Sequence, residues 1–214
     1  MRLSSYKMGA AVMATHHKSR PLDLLTWLSE LRRGITVAAL NHEVWWTYRN
    51  KDTPCELLKA MGPYNRFFAT AMHAHFVTLF VSLYWLYETR DDTYNIPHFL
   101  KCLKKHKKLA PELLARLDGL HKDAKQLWKK VSKLRSEAIS HRSIKLSSEE
   151  LFAKANLSSA ELRRLIEQTE QLLNAVSQAI DRSAHAFNTG AKEDFVRLLK
   201  DLNVHDRRRR VAKA

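Results

Sequence analysis

The sequence predicts an all-α fold, an up-and-down bundle of four main helices with short additional helices, on three observations. Gly and Pro number only 5 each in 214 residues, too few for the many turns of a sandwich or barrel. Apolar residues recur at three- and four-residue steps through several long segments, which lays one stripe along an α-helix. The breaks between those segments carry Pro, Gly, Asn, Asp or Ser, the residues that punctuate helix ends.

The elements follow in chain order. Residues 1–20, "MRLSSYKMGAAVMATHHKSR", lack the sustained apolar run of a signal peptide and read as a flexible N-terminal arm. Pro21 opens "LDLLTWLSELRRGITVAALNHEVWWTYRN", whose stripe passes through Leu24, Leu28, Leu31 and Ile35 to Ala38 or Ala39, with a bend expected at Gly34. "NKDTP" and "MGPYN" bracket a short link around "CELLKA". The run 67–87, "FFATAMHAHFVTLFVSLYWLY", is long enough to span a bilayer. Its histidines, Thr and Ser, and the lack of a second such run, favour a buried central helix and no membrane partner.

"TRDDTYN" ends that helix, and "IPHFLKCLKKHKK" begins a shorter one with Ile96, Phe99, Leu100 and Leu103 on its packing side. Pro111 starts the next, where Leu113, Leu117, Leu120, Ala124, Leu127, Val131, Leu134 and Ala138 sustain the helical spacing for more than three heptads. After "HRSIKLSSEELFAKANLSS", Ser158 and Glu161 have the spacing of a capping box. The last long stripe runs from Leu162 through Leu165, Thr169, Leu172, Val176 and Ala179 to Ser183, with "NTG" at 188–190 as its expected stop. The bundle therefore spans 21–190, and 191–214 is read as a short helix followed by a basic tail with "RRRR" at 207–210. The wide apolar coating of the second main helix leaves surface for a partner chain and suggests a homodimer.

Charge narrows the function classes. Lys and Arg total 37 against 22 Asp and Glu, a formal +15, which favours polyanionic partners, RNA among them. Between Lys101 and Lys145 stand 14 basic and 4 acidic residues, so 10 of the 15 excess charges sit in about a fifth of the chain. A solvated helix face would show the same run. Cys55 and Cys102 have no metal-type spacing, so no disulfide framework or zinc site is expected, and the chain reads as cytoplasmic.

Within the basic segment lies "KLRSEAISHRS", residues 133–143. On an ideal helix six residues turn about 600°, so Arg135 and His141 point about 120° apart and cannot share one phosphate. Two arrangements escape this: the helix ends near "SHRS", or the segments of two protomers meet. Either puts a cation and a titratable imidazole on opposite sides of a scissile phosphate. His can take the 2′-hydroxyl proton or protonate the leaving oxygen, and Arg can offset the phosphorane charge. An inward-facing His141 beside an exposed Arg135 explains the spacing equally well.

"KLRSEAISHRS" resembles the signature of the HEPN superfamily, Arg followed after four to six residues by His. "NHEVWWTYRN" and "FVSLYWLYETRDDTYNIPHFLKCL" extend the likeness to abortive-infection-type HEPN proteins over roughly 22–187. The resemblance implies a helical bundle that dimerises, a cleft lined by Arg and His of both chains, and metal-independent endoribonuclease activity used as a toxin or in phage defence, with no cofactor. Arg135 and His141 take the catalytic places, with Ser136, Arg142, Lys133 and Lys130 as supporting or RNA-binding residues. Ser136 departs from the usual Asn, Asp or His, although serine can still hydrogen-bond a phosphate or orient the Arg.

Other groups read as structural. His73 and His75 lie about 200° apart on a helix, which does not suit a metal pair. Glu88, Asp91 and Asp92 read as a cap and solvated turn. Of Trp45 and Trp46, at least one is expected in the core. Two other function classes remain beside the ribonuclease: a non-catalytic RNA-binding or regulatory module, and an interaction protein pairing with a subunit such as a cognate antitoxin.

Overall fold

Asp23 starts the first helix: its carboxylate accepts the Leu25 backbone N–H at 3.0 Å and the Thr26 hydroxyl, satisfying donors that a helix N-terminus leaves over. In the computed structural model, which describes residues 23–106, 109–137, 148–187 and 190–211, α1 then runs unbroken over Leu24–Arg49. Gly34 is no helix break. A Cβ there would stand 2.3 Å from Trp85 Cζ3, so glycine lets α1 approach the next long helix closely.

The link after α1 forms α2, Cys55–Lys59, and a 3₁₀ turn at Gly62–Tyr64 before α3, Asn65–Tyr87. Gly34 lies at Trp85 while Trp45 packs on Phe76, so α1 and α3 are antiparallel. The apolar run of α3 is buried on one side only. Leu79, Phe80, Leu83 and Leu86 are in the core, whereas Phe67 is 67% and Val81 42% exposed. By length and composition alone α3 could cross a membrane; its inner side is the expected central helix of the bundle, and its outer side leaves apolar residues uncovered.

Asn95 closes the acidic turn and opens α4, Ile96–His106. Its side chain is fully buried: the amide donates to the Arg90 carbonyl at 2.6 Å and the side-chain carbonyl accepts the His98 N–H at 2.9 Å. Pro111 occupies the first turn of α5, Pro111–Arg135, where its missing N–H costs nothing. Tyr87 stacks on His121 and Tyr84 meets Trp128, so α5 runs antiparallel to α3. The expected stripe holds: Leu117, Ala124, Leu127, Val131 and Leu134 are buried, and Ala138 lies outside the described residues.

α6, Ser148–Ala155, precedes α7, Ser159–Ile180. The capping box at Ser158 and Glu161 forms in both directions. Inside the bundle the Thr169 hydroxyl donates to the Leu165 carbonyl and accepts the Tyr87 phenol, both at 2.7 Å. Burial raises that phenol above its ordinary pKa. α7 ends ten residues before the expected glycine. Asp181 takes the Ser183 N–H at 2.9 Å, Arg182 turns to φ +56°, and Arg32 of α1 donates to the Ser183 hydroxyl at 2.8 Å.

The expected short helix and tail are one helix, α8, Ala191–Val211, nearly as long as the four main ones. Phe195 and Leu199 of α8 join Met61, Phe68 and Met72 in a second, smaller core. The main core lies between α1, α3, α4, α5 and α7. Among the described residues there is no strand.

Candidate functional site at the end of α5

The heptad stripe of α5 turns Leu134 inward and so sets Arg135 on the flank facing α3. There the guanidinium carbon lies 4.5 Å from the centre of the Tyr84 ring, a cation–π distance. Tyr84 is itself held in place: its backbone carbonyl accepts the Trp128 indole N–H at 3.2 Å, and the two rings lie 5.8 Å apart. The Arg135 Nε is enclosed and has no hydrogen-bond partner among the described residues. The ring contact fixes the plane of the guanidinium, the side chain whose fork of donors matches an oxyanion in general.

Regular α-helix stops at Arg135. Ser136 caps it, its N–H reaching the Ser132 and Lys133 carbonyls, and 136–137 form a wider π-type turn. The ideal-helix geometry that set Arg135 and His141 about 120° apart therefore ceases to apply just beyond the Arg. His141 and Arg142 lie outside the described residues.

Lys130 and Lys133 point the other way, toward α6 and α7. Lys130 Nζ is 2.6 Å from Glu161 Oε1, inside the capping box of α7, and is the leading reason why the Glu161 carboxyl titrates below its ordinary range. Lys133 Nζ donates to the Lys154 carbonyl at 2.7 Å, which satisfies an orphan acceptor near the end of α6. Lys154 in turn pairs with Glu137 at 2.7 Å. These bonds staple the motif end of α5 to its neighbours, so the two lysines are joined to helix ends.

A family model described as AbiU2, of the HEPN type, matches residues 22–198. The chain belongs to the AbiU2 HEPN family. Its match takes in α1 to α7 and the first turns of α8, including "KLRSEAISHRS" and the two other stretches that carry the resemblance. This AbiU2-family chain is thus an abortive-infection-type HEPN protein. The comparison with curated proteins found no match. The comparison with solved structures found none either.

Tyr84 is the partner that sequence reasoning missed in this AbiU2-family chain. It stands in the quoted aromatic run, yet its pairing with Arg135 depends on the register between α3 and α5. Other candidates have structural partners. His75 Nδ1 lies 2.8 Å from Asn41 Oδ1, and Arg90 grips Asp92 through two bonds of 2.9 and 2.7 Å. Trp45 is buried against Phe152 with the rings nearly parallel, and Trp46 is partly buried. No group of three His, Cys, Asp or Glu converges as metal ligands among the described residues.

Proposed function

We propose that the protein is a metal-independent HEPN-type endoribonuclease acting as a toxin or phage-defence effector, with Arg135 and His141 at its centre. The observation that carries the reading is the Arg135 guanidinium fixed over Tyr84 at the end of α5 with its Nε unmatched, in a chain of this family. In this reading a phosphate of RNA is bound by the Arg135 guanidinium. His141 removes the 2′-hydroxyl proton, the oxygen attacks the adjacent phosphorus, and the bond to the 5′-oxygen breaks as that oxygen is protonated. The products are a 2′,3′-cyclic phosphate and a 5′-hydroxyl. DNA has no 2′-hydroxyl and is left uncut. Arg135 offsets the charge that grows on the phosphorane.

A homodimer completes this reading. Tyr84 borders the outer side of α3, where Val81 and Phe67 stand exposed, so a second copy covering that apolar strip adjoins Arg135. RNA is the substrate, a cognate antitoxin is a further partner, and the cytoplasm is the place of action.

The test is incubation of purified protein with RNA in EDTA. Cleavage to cyclic-phosphate ends, lost in His141→Ala and in Arg135→Met, is the expected result. Cleavage that survives His141→Ala overturns the mechanism. The second reading, a non-catalytic RNA-binding or regulatory module, is favoured by Ser136, whose place in the chain goes to capping α5; salt-sensitive RNA binding without cleavage in either chain would select it.

A further inference from the structure

The end of α1 carries a surface that is aromatic and basic together. A pocket of about 670 Å³ opens there between α1, the link that follows it, α6 and the starts of α3 and α7. Its floor is the buried Trp45, whose ring stacks on Phe152 of α6 with centroids 5.7 Å apart and planes 9° from parallel. Steps of three and four residues return a helix to nearly the same side, so Tyr48 and Arg49 stand beside that floor. The Tyr48 ring is 38% exposed. Lys51 follows in the turn after α1, and among the described residues no carboxylate lines the pocket.

An exposed ring beside two cations, in a chain of +15, fits a polyanion that carries flat rings of its own. A base stacks on an aromatic side chain whatever its identity, and Arg and Lys take the phosphates on either side of it. An unpaired strand offers both groups, whereas a duplex keeps its bases stacked on one another. Asn65, with an exposed amide that can donate and accept, and Ser159, with a hydroxyl that can do the same, line the same pocket and suit base edges. The volume is that of a pocket for a small organic group.

α6 ties this pocket to the motif end of α5. Its Phe152 lines the pocket, while Lys154, two residues on, pairs with Glu137 and gives its carbonyl to Lys133. On α3, Phe76 packs against Trp45, and Tyr84, which holds Arg135, lies eight residues further, about 12 Å along the axis. Three or four nucleotides at about 3.4 Å each cover that distance.

We infer that the pocket is a base-binding subsite for single-stranded RNA: one unpaired base stacks on Tyr48 over the Trp45 floor, and the adjoining phosphates meet Arg49 and Lys51. This subsite presupposes the RNA substrate proposed above and adds that the strand is unpaired where the protein grips it.

The test is fluorescence anisotropy of the full-length His141→Ala chain, so that cleavage does not enter the signal, with a labelled oligouridine of about 12 nucleotides and with an RNA duplex. Tyr48→Ala in that chain should weaken binding of the single strand about tenfold, and Tyr48→Phe, which keeps the ring, should bind as before. Lys51→Met should lower the slope of log affinity against log salt by about 0.7. Tyr94→Ala, an exposed ring that packs on Trp27 at the other end of α1, should leave binding unchanged, with thermal melting confirming the fold of each variant. Single-strand binding that Tyr48→Ala leaves untouched overturns the subsite even where the wild type cuts RNA, and so does a duplex bound with the same dependence on Tyr48, or an acidic peptide held at Tyr48 in place of RNA. Binding that depends on Tyr48 in a protein whose wild type cuts no RNA upholds the subsite and removes only the ribonuclease. Absence of RNA binding even at low salt overturns both.

Discussion

Replacing Glu170 by Gln should change how stability depends on pH, and the sign follows from its surroundings. Burial first, then the charges of Glu167 and Glu43, raise the carboxyl from 4.5 to about 7. Below pH 4.5 the group is neutral both folded and unfolded, so its full contribution is present. As pH rises toward 7 the unfolded chain ionises first, and stability is lost. Over about 2.5 pH units, at about 1.36 kcal/mol each, the ceiling is about 3 kcal/mol. The side chain is only half-buried, so water screening brings the loss to about 1 kcal/mol. Gln keeps the shape and cannot ionise. Urea unfolding across pH 4 to 8 (roughly the window of these shifts) should therefore show Glu170→Gln gaining on wild type from about pH 4.5 and levelling above about 7. His42, depressed to about 4, makes stability rise with pH between about 4 and 6.5, but it does so in both chains and cancels in the difference. A flat or falling difference curve would refute the placement of Glu170 among these charges.

Three further outcomes test the packing. Gly34→Ala forces a methyl against Trp85 and should cost about 1–3 kcal/mol, seen as a lower unfolding midpoint. Tyr87→Phe removes a fully buried bond to Thr169 and should cost about 1 kcal/mol, while Tyr94→Phe, on an exposed ring, should be neutral by the same urea titration. Val81→Glu puts a charge on the apolar strip of α3. It should weaken self-association by about tenfold or more in light scattering and leave the monomer folded; an unchanged dimer would move the interface elsewhere.

Most of the helical framework was legible because it is local. The stripes from Leu24 to Ala39 and from Leu117 to Leu134, the Pro111 start and the Ser158–Glu161 box each depend on residues three or four apart, within reach of one helical turn. What could not be read is set between helices. Gly34 suggested a bend because its nearest constraint, Trp85, is fifty-one positions away. The early end of α7 had a visible signal in Asp181 and Ser183, two residues apart, which outweighed the glycine further on. The arginines at 207–210 read as a tail because they are a run of like charge, while the apolar pair that anchors α8, Phe195 and Leu199, acts through Met61 and Phe68.

The candidate site divides along the same line. Arg135 was visible as one half of a spaced motif, but its orientation is set by Tyr84 on α3, and the lysines beside it were spoken for by α6 and α7. Those ties bear on the proposed RNA binding. If Lys130 and Lys133 supplied free phosphate contacts, neutralising both would lower the salt dependence of RNA affinity by nearly two ions. Since each already serves a helix end, their substitution should act mainly through the seating of α6 and α7. Lys130→Met with Lys133→Met should therefore lower the unfolding midpoint and leave the slope of log affinity against log salt nearly unchanged, and a slope reduced by about two would return these lysines to the RNA surface.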